Sequence, residues 1–234
     1  MDKTEFDKFA DKYRALHTKN IRLSGELPEY FAEYKVRDVA DLVSAARMRA
    51  SSILDIGAGV GTSVQWFRQY FPAAALTCLD VSERSLEVGA ARYPGEAEFV
   101  AFDGRTIPHP DGQFDLAFAA CVFHHIDHNE HVALLKELHR VLAPNGMLAV
   151  FEHNPMNPLT VSAVNNCPFD ENAKLIGPWT LRRRLLEAGF KHADLRFRIF
   201  FPGALRAFRP LEKLLHWCPA GAQYSVVARR NADH

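Results

Sequence analysis

The chain has little of what marks several large protein classes. Its four cysteines, Cys78, Cys121, Cys167 and Cys218, are far apart with no C-x-x-C pair, so neither a zinc knuckle nor a dense disulfide framework is expected. Neither sign of charge is in excess, with 28 Lys plus Arg against 28 Asp plus Glu. Without a broad basic field, no nucleic-acid partner is expected. No apolar run approaches the ~18–20 residues that cross a bilayer. The charged opening "MDKTEFDKFADKYRALHTKN" also lacks the apolar stretch of a secretion signal. The expectation is a cytoplasmic protein with no transmembrane segment.

What is present suffices for a real core. Of 234 residues 48% are hydrophobic, including 17 Phe, which suits one large domain with additions. From Lys3 to Ala50, Phe6, Phe9, Tyr13 and Leu16, then Tyr30, Phe31, Tyr34, Val39, Leu42 and Val43, recur at helical spacing. This predicts two or three amphipathic helices broken near Ser24, Gly25 and Pro28. From Ser51 onward, short apolar runs (SILDIG, ALTCLD, AEFVAFD, FDLAFAA, GMLAVFEH) alternate with helical stretches at Val64 to Tyr70, Glu83 to Arg92 and Asn129 to Leu142. That texture belongs to a parallel sheet with helices on both faces. Asn145-Gly146 predicts a stop before a strand starting at Met147, and Gly189 caps the helix in "WTLRRRLLEAGF". Two last strands, Ala193 to Phe201 and Tyr224 to Arg230, flank an insert over about residues 202–222.

The most informative stretch is "ILDIGAGVGTS", Ile53 to Ser63. A phosphate-binding Walker loop needs a lysine after its last glycine, and here Gly61 leads into Thr62 and Ser63. A dinucleotide fingerprint needs a sixth-position glycine, and that position is Thr62. What stands is G-x-G-x-G at Gly57, Gly59 and Gly61, two residues after Asp55. Two further acids close the following apolar runs, Asp80 in "ALTCLDVS" and Asp103 in "AEFVAFDG". Both should lie at the carboxyl rim of the sheet, where open α/β sheets bind ligands and where a carboxylate can accept from ribose hydroxyls.

In order and spacing, "ILDIGAGVGTS", "LDVSERSLEVGAARYP", "FVAFDG", "FDLAFAACVFHHI" and "LAPNGMLAVFEH" resemble the successive motifs of class I S-adenosylmethionine-dependent methyltransferases, in particular bacterial small-molecule members of types 11 and 12. The resemblance implies a Rossmann-like, doubly wound, seven-stranded, mostly parallel sheet with an antiparallel last strand. It also implies a helical extension over residues 1–50 ahead of a methyltransferase domain over 51–234. By the same resemblance, Gly57, Ala58, Gly59 and Gly61 pass under the methionine part of the cofactor, and Asp80 with Val81 binds the ribose. Asp103 and Gly104 flank the adenine, while Ala120 and Cys121 lie along the cofactor. Asp55 orders the loop or meets the cofactor's amino group through water. The amino-terminal helices, Tyr13 among them, close over the site. The product would be S-adenosylhomocysteine. A nicotinamide-dependent oxidoreductase and a cofactor-binding protein without turnover are the alternatives.

For the acceptor, "CVFHHIDHNEH" places His124 and His125 just past the fourth strand, and His153 leaves the fifth at the same rim. A histidine that titrates near neutrality can take a proton from a hydroxyl or amine as it is methylated. These three are the catalytic candidates, against the plain reading that they pack on the sheet edge. A metal on His125, Asp127 and His128 lacks a carboxylate-rich partner set, and no metal is expected. The acceptor expected is small and organic, or linked to a lipid or glycan, with O- or N-methylation. In the insert, Leu205, Phe208, Leu211, Leu214, Leu215 and Trp217 form a stripe that usually covers a core. The alternative is a lid or a weak peripheral contact with a membrane surface. No feature sets an oligomeric state.

Overall fold

The computed structural model describes residues 25–167 and 170–231. Helix α1 spans Pro28–Ala45. Its first turn holds Pro28, whose missing N–H costs nothing there, and Glu29, which suits the positive end of the helix. The alternating part follows as β1 (Ser52–Ile56), α2 (Val64–Tyr70), β2 (Ala75–Asp80), α3 (Glu83–Arg92), β3 (Glu98–Ala101) and β4 (Phe114–Ala120). A single 3-10 turn, Phe123–His125, leads to α4 (His131–Val141) and β5 (Leu142–His153). Then come α5 (Pro158–Asn165), α6 (Pro178–Glu187), β6 (Ala193–Arg198), a kinked 3-10 segment Gly203–Leu214, and β7 (Gln223–Arg229).

The seven strands form one sheet in the order β3-β2-β1-β4-β5-β7-β6. All pairs among β1 to β5 are parallel, and β7 runs antiparallel to both β5 and β6. The strand order reverses between β1 and β4, so a crevice opens at their carboxyl ends, the usual ligand position in such sheets.

Burial on both faces explains why the strands read as nearly continuous apolar runs. Leu54, Ile56, Leu148 and Val150 face α4 and α6, where Leu134, Leu138, Leu181 and Leu185 pack. Ile53, Met147, Ala149 and Phe151 face α1 and α2, against Tyr34, Val36, Val39 and Phe67. Because side chains alternate along a strand, Asp55 shares the α1 face with Ile53, whereas Glu152 lies opposite Phe151, on the α4 side. A line of aromatic contacts, Phe67–Phe118–Phe151–Tyr34, joins α2, β4, β5 and α1 at centroid spacings of 5.3, 5.6 and 6.1 Å. Tyr34 then donates its hydroxyl proton to Gln223 on β7, which fixes α1 on the sheet.

Three sequence expectations need correction. β3 stops at Ala101, leaving Asp103 in the following loop. There it accepts the N–H groups of Arg105 (2.8 Å) and Thr106 (2.7 Å), so its preference for a turn wins over strand extension. β5 begins at Leu142, because Asn145 takes a positive φ of 65° and makes a bulge instead of a stop. Pairing with β4 resumes at Met147. The apolar stripe of the insert does not cover a core, since no residue of Gly203–Leu214 is buried and Leu214 and Trp217 are 73% and 77% exposed. The segment is tied to α1 by Arg209, which pairs with Glu26 and lies over the Tyr30 ring at 4.3 Å. Tyr13 and the helices expected before Gly25 lie outside the described residues.

Candidate functional site

The glycine loop after β1 is held mostly by its own backbone. Gly57 and Ala58 donate to the Leu79 carbonyl at 2.7 and 3.2 Å, Gly61 donates to Ala58 at 2.9 Å, and Gly59 donates to Asp80 Oδ2 at 2.8 Å. With four amides already committed to protein acceptors, the loop is a poor phosphate cradle, in agreement with its missing lysine. Gly57 has φ +69° and an added Cβ would stand 2.4 Å from Val122 Cγ2, whereas a Cβ on Gly59 would meet no atom within 4 Å. Only the first of these two glycines is set by protein packing; the second faces open space at the rim. Gly57→Ala should therefore cost about 1–3 kcal/mol from strain and overlap. A thermal melt checks this, and a melting temperature equal to the parent's would refute it.

Asp80, at the end of β2, is held by two backbone donors, Gly59 N–H on Oδ2 and Ser82 N–H on Oδ1 at 2.9 Å. Ser82 in turn caps α3 by accepting from Ser85 N–H at 3.1 Å. The end of β2 is thus a helix cap and a presented carboxylate together. Gly104 has φ +79°, and a Cβ there would stand 3.3 Å from Val81 Cγ1, so the loops after β2 and β3 lie side by side.

Asp55 is 2% exposed, and its Oδ2 has no hydrogen-bond partner. Burial, then the Asp80 charge, push its pKa up to about 8, with Lys35 acting in the opposite direction. A buried, unpaired carboxyl is costly and calls for a cation or donor group. Lys35 reaches this region from α1, buried, with Nζ 3.3 Å from Cys121 Sγ. Cys121 follows β4 with an uncommon φ of +60° for a non-glycine residue, which turns the chain sharply at the rim. Burial raises its thiol pKa, but Lys35 and then His153 outweigh burial and bring it down to about 7.

The three histidines fall into two environments. His124 is 1% exposed, with Nδ1 2.7 Å from Glu152 Oε2 and Nε2 3.4 Å from Asp170 Oδ1. Burial opposes its charge, yet Glu152 and Asp170 prevail and raise its pKa well above the ordinary imidazole value. Glu152 Oε1 also accepts the N–H groups of Val122 (3.0 Å) and Phe123 (2.7 Å), so one carboxylate clasps the entire turn after β4. His125 Nε2 stands 3.4 Å from the same Asp170 oxygen, and burial lowers its pKa. His153 is half-buried on the α1 face, hydrogen-bonded to Cys121, with its ring 5.2 Å from that of His124.

The other basic and polar features have structural roles. His131 is buried between Ile126 O (3.0 Å) and Arg184 (2.5 Å), and burial lowers its pKa to about 4. Asp127 pairs with Lys174 at 2.8 Å, and His128 bonds the Lys174 carbonyl, so His125, Asp127 and His128 do not gather around one point. Asn154 donates to Pro219 O and Gly221 O, pinning the loop after β5 to the approach to β7.

Sequence reasoning missed Lys35 and Asp170. Lys35 carried a signal, because it sits between Phe31 and Val39 at four-residue spacing, on the apolar face of α1. Asp170 carried none, as it comes from an irregular segment far along the chain.

Known proteins share this architecture. Residues 54–150 match a family model described as "Methyltransferase domain". A trans-aconitate 2-methyltransferase from Methylobacterium nodulans is 36% identical over 123 residues, covering 51% of this chain and 45% of that protein. A ubiquinone/menaquinone biosynthesis C-methyltransferase from Ectopseudomonas mendocina is 29% identical over 171 residues, covering 70% and 62%. The chain thus spans about half to three-fifths of the length of these relatives. A solved S-adenosylmethionine-dependent methyltransferase from Thermotoga maritima superposes over 98% of this chain and 99% of its own, with a TM-score of 0.67 at 18% identity.

Proposed function

We propose, for a chain that belongs to the class I methyltransferases, transfer of a methyl group from S-adenosylmethionine to a small organic acceptor. The observation that carries this reading is the unpartnered, buried Asp55 Oδ2 beside a glycine loop with few spare donors. A ligand bearing cationic groups and no phosphate suits that pairing, and a nucleotide diphosphate does not. When bound, the donor supplies a methyl group on a sulfonium centre. In this reading Gly57, Ala58, Gly59 and Gly61 pass beneath its methionine part, Asp80 and Val81 take the ribose, Asp103 and Gly104 flank the adenine, and Ala120 and Cys121 line its length.

The chain's own contribution is chiefly placement and exclusion of water. Lys35 and Tyr34 on α1 close one side of the rim, and the turn clasped by Glu152 closes the other. His124 has both ring nitrogens directed at carboxylates, so we assign it to holding that turn. His153 is the histidine we place opposite the acceptor, where it would accept a proton as the methyl arrives. His153→Ala should lower turnover by about 10²-fold with donor affinity unchanged. Parallel losses of turnover and donor affinity would show that His153 serves the cofactor instead.

The relatives support the acceptor class. One of these is named for trans-aconitate, and the other for a C-methyl transfer in quinone biosynthesis. Carbon therefore joins oxygen and nitrogen as a target atom. Among the described residues no helix is long and apolar enough to cross a membrane. The exposed Leu205, Phe208, Leu211, Leu214 and Trp217 supply a surface for a lipid-linked acceptor to approach.

The deciding experiment is calorimetry with S-adenosylhomocysteine and NAD. The first should bind far more tightly, and Asp80→Ala should weaken it about 10–100-fold by removing charged hydrogen bonds. Equal affinity for the two ligands would overturn the reading.

A further inference from the structure

His124, His125 and Asp170 are each chemically capable of ligating a metal, and their ligand atoms all lie within 4.8 Å of one another. We propose that they form a divalent transition-metal site, best suited to zinc, at the β4–β5 rim.

The distances favour a shared ion over simple pairing. Asp170 Oδ1 stands 3.4 Å from His124 Nε2 and 3.4 Å from His125 Nε2. Both separations are long for an N–H···O hydrogen bond, whose usual length is about 2.9–3.0 Å. They equal the edge of a tetrahedron, roughly 3.3–3.4 Å, that results when ligand atoms sit ~2.0–2.1 Å from a central zinc. Two of the three separations thus match that edge, the two imidazoles lie within 4.8 Å of each other, and two imidazoles with one carboxylate would leave a fourth position open.

A second, independent feature lies behind the first ligand. Metal-bound histidines nearly always donate their other ring N–H to a carboxylate or carbonyl, which sets the tautomer and the ring's aim. His124 Nδ1 has that partner in Glu152 at 2.7 Å, and Glu152 is itself immobilised by Val122 N–H and Phe123 N–H. With Nδ1–H given to Glu152, an arriving ion would displace the Nε2 proton and take up the lone pair on the side that faces Asp170. The loop is closed by Lys174, whose N–H donates to the His124 carbonyl at 2.7 Å. The aim of His124 is thus fixed by three backbone-anchored contacts before any ion arrives.

The ligand classes decide which ion. Two nitrogens and one oxygen in a near-tetrahedral set suit zinc, and cobalt(II) as its spectroscopic substitute. Magnesium and calcium prefer sets made of oxygen alone. A site with three protein ligands and an open corner is the arrangement that holds an exchangeable oxygen ligand. The occupant of that corner would be a carboxylate or hydroxyl oxygen of the methyl acceptor. This last step rests on the transferase reading, and cation binding does not.

The test therefore uses the full chain with neither donor nor acceptor present. After treatment with a chelator, titration with zinc chloride should show one saturable equivalent per chain. Cobalt(II) should give the strong visible absorption of a tetrahedral centre. His125→Ala and Asp170→Asn, both less buried than His124, should each weaken zinc binding by more than about 100-fold, beyond the ~10–100-fold typical of a lost supporting contact. Far-ultraviolet circular dichroism spectra taken without metal should match the parent's, which separates a lost ligand from a lost fold. Absence of saturable uptake by the parent, or equal uptake by the parent and both variants, would overturn the site and leave an imidazole–carboxylate clasp. Weak S-adenosylhomocysteine binding alongside normal zinc uptake would count against the transferase reading alone.

Discussion

Glu152→Ala lowers the free energy of unfolding by about 3–5 kcal/mol, the cost of breaking a buried charged pair from one side. The carboxylate is fully buried and accepts from Val122 N–H, Phe123 N–H and His124 Nδ1. Alanine leaves three donors with no acceptor and opens a space beneath the turn, and each unsatisfied donor adds its own desolvation cost. Glu152→Gln keeps one carbonyl oxygen in place and should recover part of the loss. Urea denaturation of the parent and both variants at one pH measures the difference. A loss under about 1 kcal/mol for alanine would mean that water replaces the carboxylate at all three donors.

The second large effect is a proton released on donor binding. Asp55 has its pKa raised from 3.8 to about 8 in the folded chain, by burial first and the neighbouring Asp80 second. At pH 7 most Asp55 side chains are therefore protonated. A cationic ligand beside Asp55 favours the ionised form, so binding should expel close to one proton per chain at pH 7. Donor affinity should rise up to tenfold per pH unit towards pH 8 and flatten above it. The stability of the ligand-free protein follows the opposite sign. Between about pH 4 and 8 the unfolded chain ionises Asp55 and the folded chain does not, so this group's contribution falls as pH rises through that window. Calorimetry in two buffers of different ionisation enthalpy counts the proton directly. Asp55→Asn should abolish the release and weaken donor binding about 10–100-fold. A release that persists in Asp55→Asn would assign the proton to another group that titrates in range, such as Cys121.

Much of the frame was legible in the sequence because it is written locally. The alternation of apolar runs with helical stretches corresponds to the strands and helices from β1 to β5, whereas the reversed direction of β7 was implied only by the family resemblance. Gly57 was legible as a special backbone position, since only the chain's own path demands it there. Asp103 was misplaced by two residues because an apolar run and a turn-forming aspartate compete at a strand's end, and apolarity alone does not show where pairing stops. The insert was misread for a related reason: a stripe of leucines and aromatics signals one apolar face, but not whether anything lies against it. Lys35 and Asp170 were not reached because each meets its partners across a long span of chain, Lys35 with Cys121 and Asp170 with His124. A lysine on an apolar helix face and an aspartate in a proline-containing loop look ordinary until the fold brings them to one rim.

The bond from Tyr34 to Gln223, with Lys35 beside Cys121, also bears on where the working unit begins. A boundary drawn at residue 50 follows the change in sequence texture and retains every strand. It also discards the helix that caps one end of β7 and sets the charge next to Cys121. A fragment starting there would keep the shape of the sheet while exposing Phe151 and moving the Cys121 thiol back towards its unassisted acidity. The first helix therefore belongs with the sheet as part of one folded unit, and under the proposed function a trimmed chain would leave the rim beside Cys121 open.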